Sequence, residues 1–147
     1  MYNSSYSQNF PQGVVARLAG LYGDDRIHLL KSLRAGRAIL EEEGQRWLNY
    51  LHRRDAVRAL IFLCFDQRVT GGFYNVVDDG QLNQLQLYEF LCPKLNLPMP
   101  KPGTRAANSK RAYSNKKVVG SKLKALGWSP IVPSLREGLD EILSSEK

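Results

Sequence analysis

Two side chains near the middle of the chain have the spacing of a general base and the carboxylate that orients it. His52 and Asp55 are three residues apart, so on one helix they would share a face. An imidazole held by a carboxylate can accept a proton near neutral pH. The alternative is structural, with Asp55 capping a helix that begins there and His52 packing against it. From the sequence we favour the structural role.

The remaining histidine and the cysteines do not suggest a metal site or a disulfide framework. His28 lies far from His52, and neither has a cysteine nearby, whereas metal sites use closely spaced ligands. Cys64 and Cys92 are far apart as well, each in an apolar helical stretch. A disulfide framework needs more cysteines in a smaller domain. We therefore expect two buried, reduced thiols.

Positive charge is concentrated in the last third of the chain. The net charge is +7, and the stretch from Lys101 to Lys124 holds eight basic residues and no acidic one. Such a block attracts anions, which could be a phosphorylated substrate or a nucleic acid, or it could bind nothing specific. Only Tyr113 interleaves there as an aromatic, and no nucleic-acid-binding signature is present, so nucleic acid is the weaker alternative.

The composition is that of one globular domain. The chain has 147 residues, of which 43% are hydrophobic and 24% charged, so it is not a disordered chain. The polar stretch Met1–Gln12 has no signal-peptide pattern, and we expect it to be irregular or disordered. The longest apolar run, Ala59–Phe65, is too short to span a bilayer. We expect a domain over 13–147, no membrane association and a cytoplasmic location.

Strands and helices alternate along the chain, which predicts a layered α/β fold. The predicted elements, in order, are a strand at 13–20, a helix from Asp24 or Asp25 to about Ala35, a strand at Ala38–Leu40, an exposed turn at Glu41–Glu43, an extended segment at Trp47–Leu51, a helix from Asp55 with Val57, Leu60, Ile61, Cys64 and Phe65 on one side, a strand at Phe73–Val77, a helix at Leu82–Leu95 that Pro93 would kink or end, a basic helix from Ser114 or Asn115 to Leu126, and a last helix from Pro133 or Ser134 to Leu143.

The first strand does not fit a sheet built from this chain alone. Residues 13–20 are apolar at nearly every position, as in a strand buried on both faces of a parallel sheet. Three or four strands do not supply enough neighbours to bury it. The pattern therefore predicts a missing half, which a longer polypeptide or a partner would provide.

Five ordered motifs resemble the C-terminal part of the extended short-chain dehydrogenases/reductases, in the NAD-dependent epimerase/dehydratase family. They cover most of residues 13–143 and are RLAGLYG at Arg17–Gly23, NYLHRRD at Asn49–Asp55, GFYNVV at Gly72–Val77, the basic SKR and SNK strings that begin at Ser109 and Ser114, and LGWSP with PSLREGL between Leu126 and Leu139. The resemblance implies part of a Rossmann-like parallel sheet, formed by the C-terminal strands, plus a small helical substrate-binding subdomain.

The family's chemistry is missing from these residues. Its dinucleotide, NAD or NADP, is held by a glycine-rich strand–turn–helix, and no G-x-x-G-x-x-G occurs here. Its acid–base catalyst is a Tyr-x-x-x-Lys pair, in which the lysine charge lowers the pKa of the phenol. The string Tyr113–Lys117 has this spacing but lies far after the Arg17 strand, on the wrong side of it. We expect no catalytic residue here and no tight binding of the cofactor by this chain alone.

The resemblance also implies binding residues, each with a structural alternative. Arg17 would lie near the nicotinamide end of the cofactor, or bond carbonyls of adjoining loops inside a buried strand. Asn49 would contact substrate, or form a turn. Lys110 and Arg111 would lie near the diphosphate of a nucleotide-sugar-like substrate, or on a solvated basic surface. Arg26, which follows the turn at Gly23, could bind a phosphate or an acidic substrate, or be a solvated arginine in the first turn of a helix.

The sequence therefore predicts the C-terminal, substrate-binding portion of an NAD(P)-dependent nucleotide-sugar epimerase/dehydratase-like oxidoreductase that is not catalytic alone. Its partner would be an N-terminal half or a related enzyme subunit. The alternatives are a docking or regulatory subunit of a related enzyme and a basic nucleic-acid-binding module.

Overall fold

A computed structural model describes residues 12–23, 27–104 and 115–146. Within these residues, eight short strands and five α-helices form a mixed α/β fold, as the sequence predicts. In chain order they are β1 (Val14–Leu18), β2 (Gly20–Tyr22), α1 (His28–Arg34), β3 (Ile39–Leu40), β4 (Trp47–Leu48), β5 (Tyr50–His52), α2 (Arg53–Phe65), β6 (Gly72–Val76), β7 (Leu82–Asn83), α3 (Gln84–Leu95), β8 (Lys101–Pro102), α4 (Ser121–Ala125) and α5 (Leu135–Ser145). A short 3₁₀ helix covers Glu41–Gly44.

The strands β1 and β2 form one extended chain that changes its partner part of the way along. β1 pairs in parallel with β6, and the amide of Ala19 still donates to the carbonyl of Val76 at 2.9 Å. The next amide, of Gly20, donates instead to the carbonyl of Asn49, and β2 pairs in parallel with β5. The predicted strand therefore runs on through Gly20 to Tyr22.

The strand β5 enters between β2 and the segment that follows β6. On its far side the carbonyl of Tyr50 accepts from the amide of Asp78 at 3.0 Å. Both β6 and β5 consequently lie on the same side of the β1–β2 chain. On the other side, no strand among the described residues pairs with β1.

Helix α2 packs against β1, β2 and β5 through small side chains. Its buried residues include Ala56, Ala59 and Leu63, which join a core cluster with Tyr74 and the other members Leu51, Val76, Leu123 and Trp128. The predicted apolar side of this helix is present, but it faces outward. The smaller alanines allow the helix to lie close to the strands, so they form the packed face instead of the larger side chains.

A second core cluster joins α1, α3 and α5 to the end of β2. Its buried members include Tyr22, Leu30, Leu33, Leu87 and Leu139. Two small strand pairs, the parallel β3–β8 and the antiparallel β4–β7, lie in this part of the chain. It corresponds to the small helical subdomain that the sequence predicts, with minor strands added.

The helix α3 begins at a capping box, and Pro93 does not end it. The side chain of Asn83 accepts from the amide of Gln86, whose own side chain accepts from the amide of Asn83. Pro93 lies in the last turn, and the helix ends at Leu95, where it was predicted to end. The left-handed Asn96, with φ of 52°, closes it.

Two predicted elements are wrong in detail. The basic helix covers only Ser121–Ala125, and residues 115–120 before it carry no helix or strand. The acidic turn is not wholly exposed, because Glu41 is buried and pairs with Arg46, while its amide donates to Gln84 Oε1 at 2.8 Å. The predicted capping residues Asp24, Asp25 and Ser114 lie outside the described residues.

Asp55 is not the cap of α2. The cap is His52, whose Nδ1 accepts from the amide of Arg54 at 3.3 Å. Asp55 is fully buried, and its carboxylate accepts from the amides of Ile131 and Val132 at 2.8 and 2.9 Å. It thereby fixes the turn that leads into α5, a helix that starts where the sequence predicts, at the Ser134 cap.

The cysteines differ from each other in exposure. Cys92 is buried, as expected, whereas Cys64 on α2 is exposed. Within the described residues, none of the helices has both the length and the apolar composition needed to cross a membrane.

Replacing Asp55 with asparagine should strongly destabilise the fold. The amide keeps one acceptor oxygen, but its NH₂ group would face a backbone N–H that has lost its partner in a buried position. We expect the free energy of unfolding to fall by about 2–4 kcal/mol. Urea denaturation monitored by circular dichroism measures this change.

The control is Asp140→Asn, which removes an exposed ion pair with Lys94. It should change the unfolding free energy by less than about 0.5 kcal/mol. Equal effects of the two substitutions would show that Asp55 does not hold the turn.

Candidate substrate-side surface

Three polar side chains meet where the parallel strands end, and all three are buried. Tyr22 ends β2, His52 ends β5 and Asp78 follows β6; their exposures are 1%, 3% and 2%. The rings of Tyr22 and His52 lie edge to face, with centroids 5.1 Å apart. Ligands of open α/β sheets bind at the carboxyl ends of strands, so this is where a site would be expected.

The helix α5 covers this cluster and makes it structural. The hydroxyl of Tyr22 donates to the carbonyl of Ser134 at 3.2 Å. A Cβ added to Gly138 would lie 2.2 Å from that hydroxyl oxygen, so the helix packs directly on the tyrosine. Burial, followed by the charges of Asp78 and Asp55, raises the pKa of Tyr22 well above its ordinary value. A phenol of this kind holds its proton and does not act as a base.

The pair His52 and Asp55 is therefore not a catalytic dyad. His52 caps α2 through Nδ1, and Asp55 binds the backbone ahead of α5. His52 Nδ1 and both carboxylate oxygens of Asp55 are thus bonded within the fold. The structural alternative is correct, although with His52 rather than Asp55 as the cap.

Asp78 is the carboxyl group of this cluster, and its pKa is strongly raised. Neither of its oxygens makes a hydrogen bond within the described part of the chain. Burial raises its pKa from an ordinary value of 3.8 to about 7, and the nearby amide of Leu135 offsets only part of that effect. The group is therefore largely protonated at mildly acidic pH, which suits a carboxyl enclosed under a helix.

Arg17 lies on the face of the sheet that carries the Phe73 ring. In β1, Val15 and Ala16 are partly buried, whereas Arg17 is exposed, so the prediction of a buried arginine is wrong. The cause is that, among the described residues, β1 has a strand neighbour on one side only. The guanidinium lies 4.3 Å from the centroid of the Phe73 ring, and Arg17 stands opposite Asn75 in the register of β1 and β6.

Side-chain amides hold residues 115–120 against this part of the fold. Asn49 Nδ2 donates to the carbonyl of Lys116, and Asn49 Oδ1 accepts from the amide of Val118, both at 2.8 Å. Asn75 Nδ2 donates to the carbonyl of Val119, and Gln81 Nε2 to that of Val118. We call residues 115–120 the tethered segment.

The first residue of the tethered segment is bound as well. Asn115 Oδ1 accepts from the amide of Trp47 at 2.7 Å, and Asn115 Nδ2 donates to Glu42 and to the carbonyl of Gln45. It does not cap a helix. Lys116 and Lys117 remain exposed, and the Nζ of Lys117 lies 4.6 Å from a Trp47 ring centroid.

Among the predicted binding residues, the structure places Arg17 and Asn49. Asn49 uses both ends of its amide on the tethered segment, so it positions that segment, and its contact with a substrate stays a prediction. Arg26, Lys110 and Arg111 lie outside the described residues, and so does Tyr113. Asn75 and Gln81 were not predicted as functional residues. The signal that could have indicated them is the position of their amide side chains next to apolar strand residues.

The described residues also contain a close tyrosine–lysine contact that is not catalytic. Lys122 Nζ lies 3.9 Å from the centroid of the Tyr74 ring. Burial acts to raise the pKa of Tyr74, but its bonds with Thr70 and the charge of Lys122 lower it overall. The hydroxyl bonds both backbone groups of Thr70, and the side chain is 1% exposed, so no substrate can reach it.

These residues do not fit the pyrophosphate of a dinucleotide. A pyrophosphate is bound by free amides in the first turn of a helix. Side chains of this protein already cap the three longer helices: His52 caps α2, Asn83 caps α3 and Ser134 caps α5. Gly20 and Gly23 pack closely against Tyr50 and Arg53 and leave no open cradle. In the part of the chain that the structure describes, no group of histidine, cysteine or acidic residues is suited to a metal ion.

Solved structures share this fold over nearly the whole chain. A human epimerase family protein, solved with NADPH, has a TM-score of 0.74 and 21% identity, and the match covers 90% of this chain and 48% of that one. The UDP-glucose 4-epimerase of Thermotoga maritima, solved with UDP-glucose, has a TM-score of 0.70 and 20% identity over 96% of this chain and 49% of its own. The UDP-glucuronic acid 4-epimerase of Bacillus cereus, solved with UDP-glucuronic acid and NAD, has a TM-score of 0.71 and 18% identity over 97% and 48%.

These likenesses establish the fold. The protein has part of the Rossmann-like α/β fold of these enzymes and spans about half of their length. No protein-family model matches the sequence, and no curated protein matches it.

Raising the pH should destabilise the protein through Asp78. Its pKa in the folded protein lies above the ordinary value, so the folded state binds more protons between pH 4 and 7. The stability that this proton contributes is present at low pH and is lost as the pH rises through about 7. We expect a contribution of about 1.4 kcal/mol per pH unit inside this window.

Urea denaturation at pH 5, 6 and 8 measures this effect against Asp78→Asn, which should lose that part of the pH dependence. The control Asp79→Asn replaces the neighbouring exposed carboxylate, which pairs with Lys124, and should keep most of it, because burial is the largest cause of the raised pKa and the charge of Asp79 is a smaller one. An unchanged pH dependence in Asp78→Asn would refute the assignment.

Replacing Asn49 with alanine should release the tethered segment. The change removes two hydrogen bonds and leaves the amide of Val118 without its partner. We expect hydrogen exchange of residues 116–118 to speed up about tenfold, corresponding to about 1–2 kcal/mol. Exchange measured by mass spectrometry would show this. Asn75→Ala, which removes a single longer bond at 3.3 Å, should have a smaller effect; a larger effect of Asn75→Ala would assign the main tether to β6.

Proposed function

We propose that this chain is the substrate-side half of an NAD(P)-dependent epimerase/dehydratase-like oxidoreductase that acts on a nucleotide sugar. One observation carries the proposal: solved epimerases match 90–97% of this chain, yet the match covers only 48–49% of theirs. A second half of the fold, with the cofactor site, is then needed for activity. A cytoplasmic location fits such an enzyme.

The basic stretch from Lys101 to Lys124 supports a phosphorylated substrate. It holds eight cations and no acid, and the diphosphate of a nucleotide sugar is an anion that such a stretch attracts. We propose that Arg26, Lys110 and Arg111 bind these phosphates. Asn49 then acts as a positioning residue, because it fixes the tethered segment, which follows Lys110 and Arg111 in the sequence.

We place the cofactor in the missing half and not in this chain. The three longer helices already have side-chain caps, and Gly20 and Gly23 are closely packed, so these described parts of the chain do not hold a pyrophosphate. Arg17, exposed on the face that carries Phe73, is the residue that we propose to lie beside the nicotinamide end once that half is in place. The chain alone is then a binding module without catalytic activity.

A docking or regulatory subunit of a related enzyme is the second candidate. The observation that favours it is the outward apolar side of α2, which needs cover whether or not the assembled enzyme is active. The two candidates differ in nucleotide-sugar binding, which only the first requires.

Titration of the chain with UDP-glucose, UDP-glucuronic acid and NADPH tests the proposal. We expect the two UDP-sugars to shift amide resonances of the tethered segment in heteronuclear NMR spectra, with dissociation constants of roughly a millimolar. The site is incomplete and exposed to solvent, so tight binding is not expected. NADPH should cause no comparable shifts.

The variant Lys110→Ala with Arg111→Ala should weaken UDP-sugar binding about tenfold, because each cation lost removes a charge-assisted contact. The matched control is Arg68→Ala, which removes a cation paired with Asp66. Unchanged spectra with both UDP-sugars, or saturable binding of NADPH, would contradict the proposed function.

A further inference from the structure

The helix α2 carries an apolar stripe that nothing in the described structure covers. Val57, Leu60, Ile61 and Phe65 are 57%, 42%, 55% and 80% exposed. They recur at helical spacing, so they form one continuous surface, and the exposed Cys64 lies on it. Large apolar side chains grouped in this way mark an interaction site more often than a solvated surface.

The strand β1 has an open edge. The carbonyl of Gly13 and the amide of Ala19 both bond to the β6 strand. Because backbone groups alternate sides along a strand, those of Val14, Ala16 and Leu18 point the other way, where no described strand pairs. The sequence of β1 is that of an interior strand, yet the side chains of Val14 and Leu18 are 39% and 37% exposed.

The stripe and the open edge lie on the same side of the domain. On α2, Asp55 and the stripe fall on opposite sides of the packed Ala56, Ala59 and Leu63. Asp55 faces the turn at Ile131–Val132, next to Trp128, which packs with Tyr74 and Val76 of β6. The stripe therefore faces away from β6, toward the unpaired side of β1.

We propose that the open edge of β1 and the apolar stripe of α2 form one docking face for the dinucleotide-binding half of the enzyme. That half adds a strand parallel to β1 and covers the stripe with an apolar surface of its own. The inference rests on the proposed function and names the surface through which the two halves join.

Two observations favour this occupant over a second copy of the chain. The strand pairings of the β1–β2 chain are both parallel, and a two-fold pair of identical edge strands would be antiparallel. The solved structures of the same fold are about twice as long as this chain, so the fold has a further half of the required size.

A fusion protein tests the docking face. The probe is the half of the human epimerase family protein that this chain does not match, loaded with NADPH and joined by a flexible linker to residue 1. The readout is the rate at which iodoacetamide modifies Cys64, resolved by peptide mass spectrometry, with the buried Cys92 as internal reference.

In the fusion, Cys64 should react about tenfold or more slowly than in the isolated chain, because docking covers the stripe. The double substitution Leu60→Glu with Ile61→Glu should restore rapid modification. The matched control is Ile131→Glu, which adds the same charge at a side chain that is 62% exposed and lies outside the face, and it should keep the protection. Circular dichroism checks that each variant is folded.

Equal reactivity of Cys64 in the fusion and in the isolated chain would overturn the docking face. Protection that instead grows with the concentration of the isolated chain would overturn it too, and would assign the face to a second copy. A protected fusion that binds NADPH but no UDP-glucose leaves the face standing and refutes the proposed function. A fusion that binds UDP-glucose but leaves Cys64 unprotected would overturn the docking face and support the proposed function.

Discussion

The exchange of partners at Ala19 and Gly20 is the constraint on which the rest of this structure depends. One chain pairs with β6 up to Ala19 and with β5 from Gly20 onward, and β5 fits only because the segment after β6 diverges. The entry of β5 brings Asn49 to the tethered segment and His52 to the start of α2. Because of the same exchange, Tyr22 at the end of β2 lies in the second core cluster, whereas Ala16 and Ala19 pack against the first. The β1–β2 chain therefore contributes to both packed cores of the domain.

Much of this arrangement follows from local patterns in the sequence, and the failures have physical causes. Strands and helices were predicted from periodicity and caps such as Ser134, which act over a few residues. The tethered segment was predicted to belong to a basic helix that begins at a cap on Ser114 or Asn115. Distant amides of Asn49, Asn75 and Gln81 bind its backbone instead, so tertiary bonds override propensity.

The candidate site was less predictable than the fold, because chemical character depends on burial. The spacing of His52 and Asp55 fits a base and its partner, and only the positions of Arg54, Ile131 and Val132 show that both are structural. For Arg17, the sequence pattern predicted burial and the structure shows exposure. Its strand has the composition of an interior strand, yet Arg17 is exposed, because no described strand pairs with the outer edge of β1.

The contact between Tyr22 and Gly138 links two positions that are 116 residues apart in the sequence. There is no room for a methyl group on the helix while the tyrosine ring occupies its place under α5. Over evolutionary time, the two sites should therefore exchange residues as a pair. A homologue with alanine or a larger residue at the helix position would need a smaller side chain at the end of β2, and its last helix would then lose the hydroxyl that bonds to Ser134. Such a coupled substitution would be a mark of shared architecture that survives after overall sequence similarity has faded.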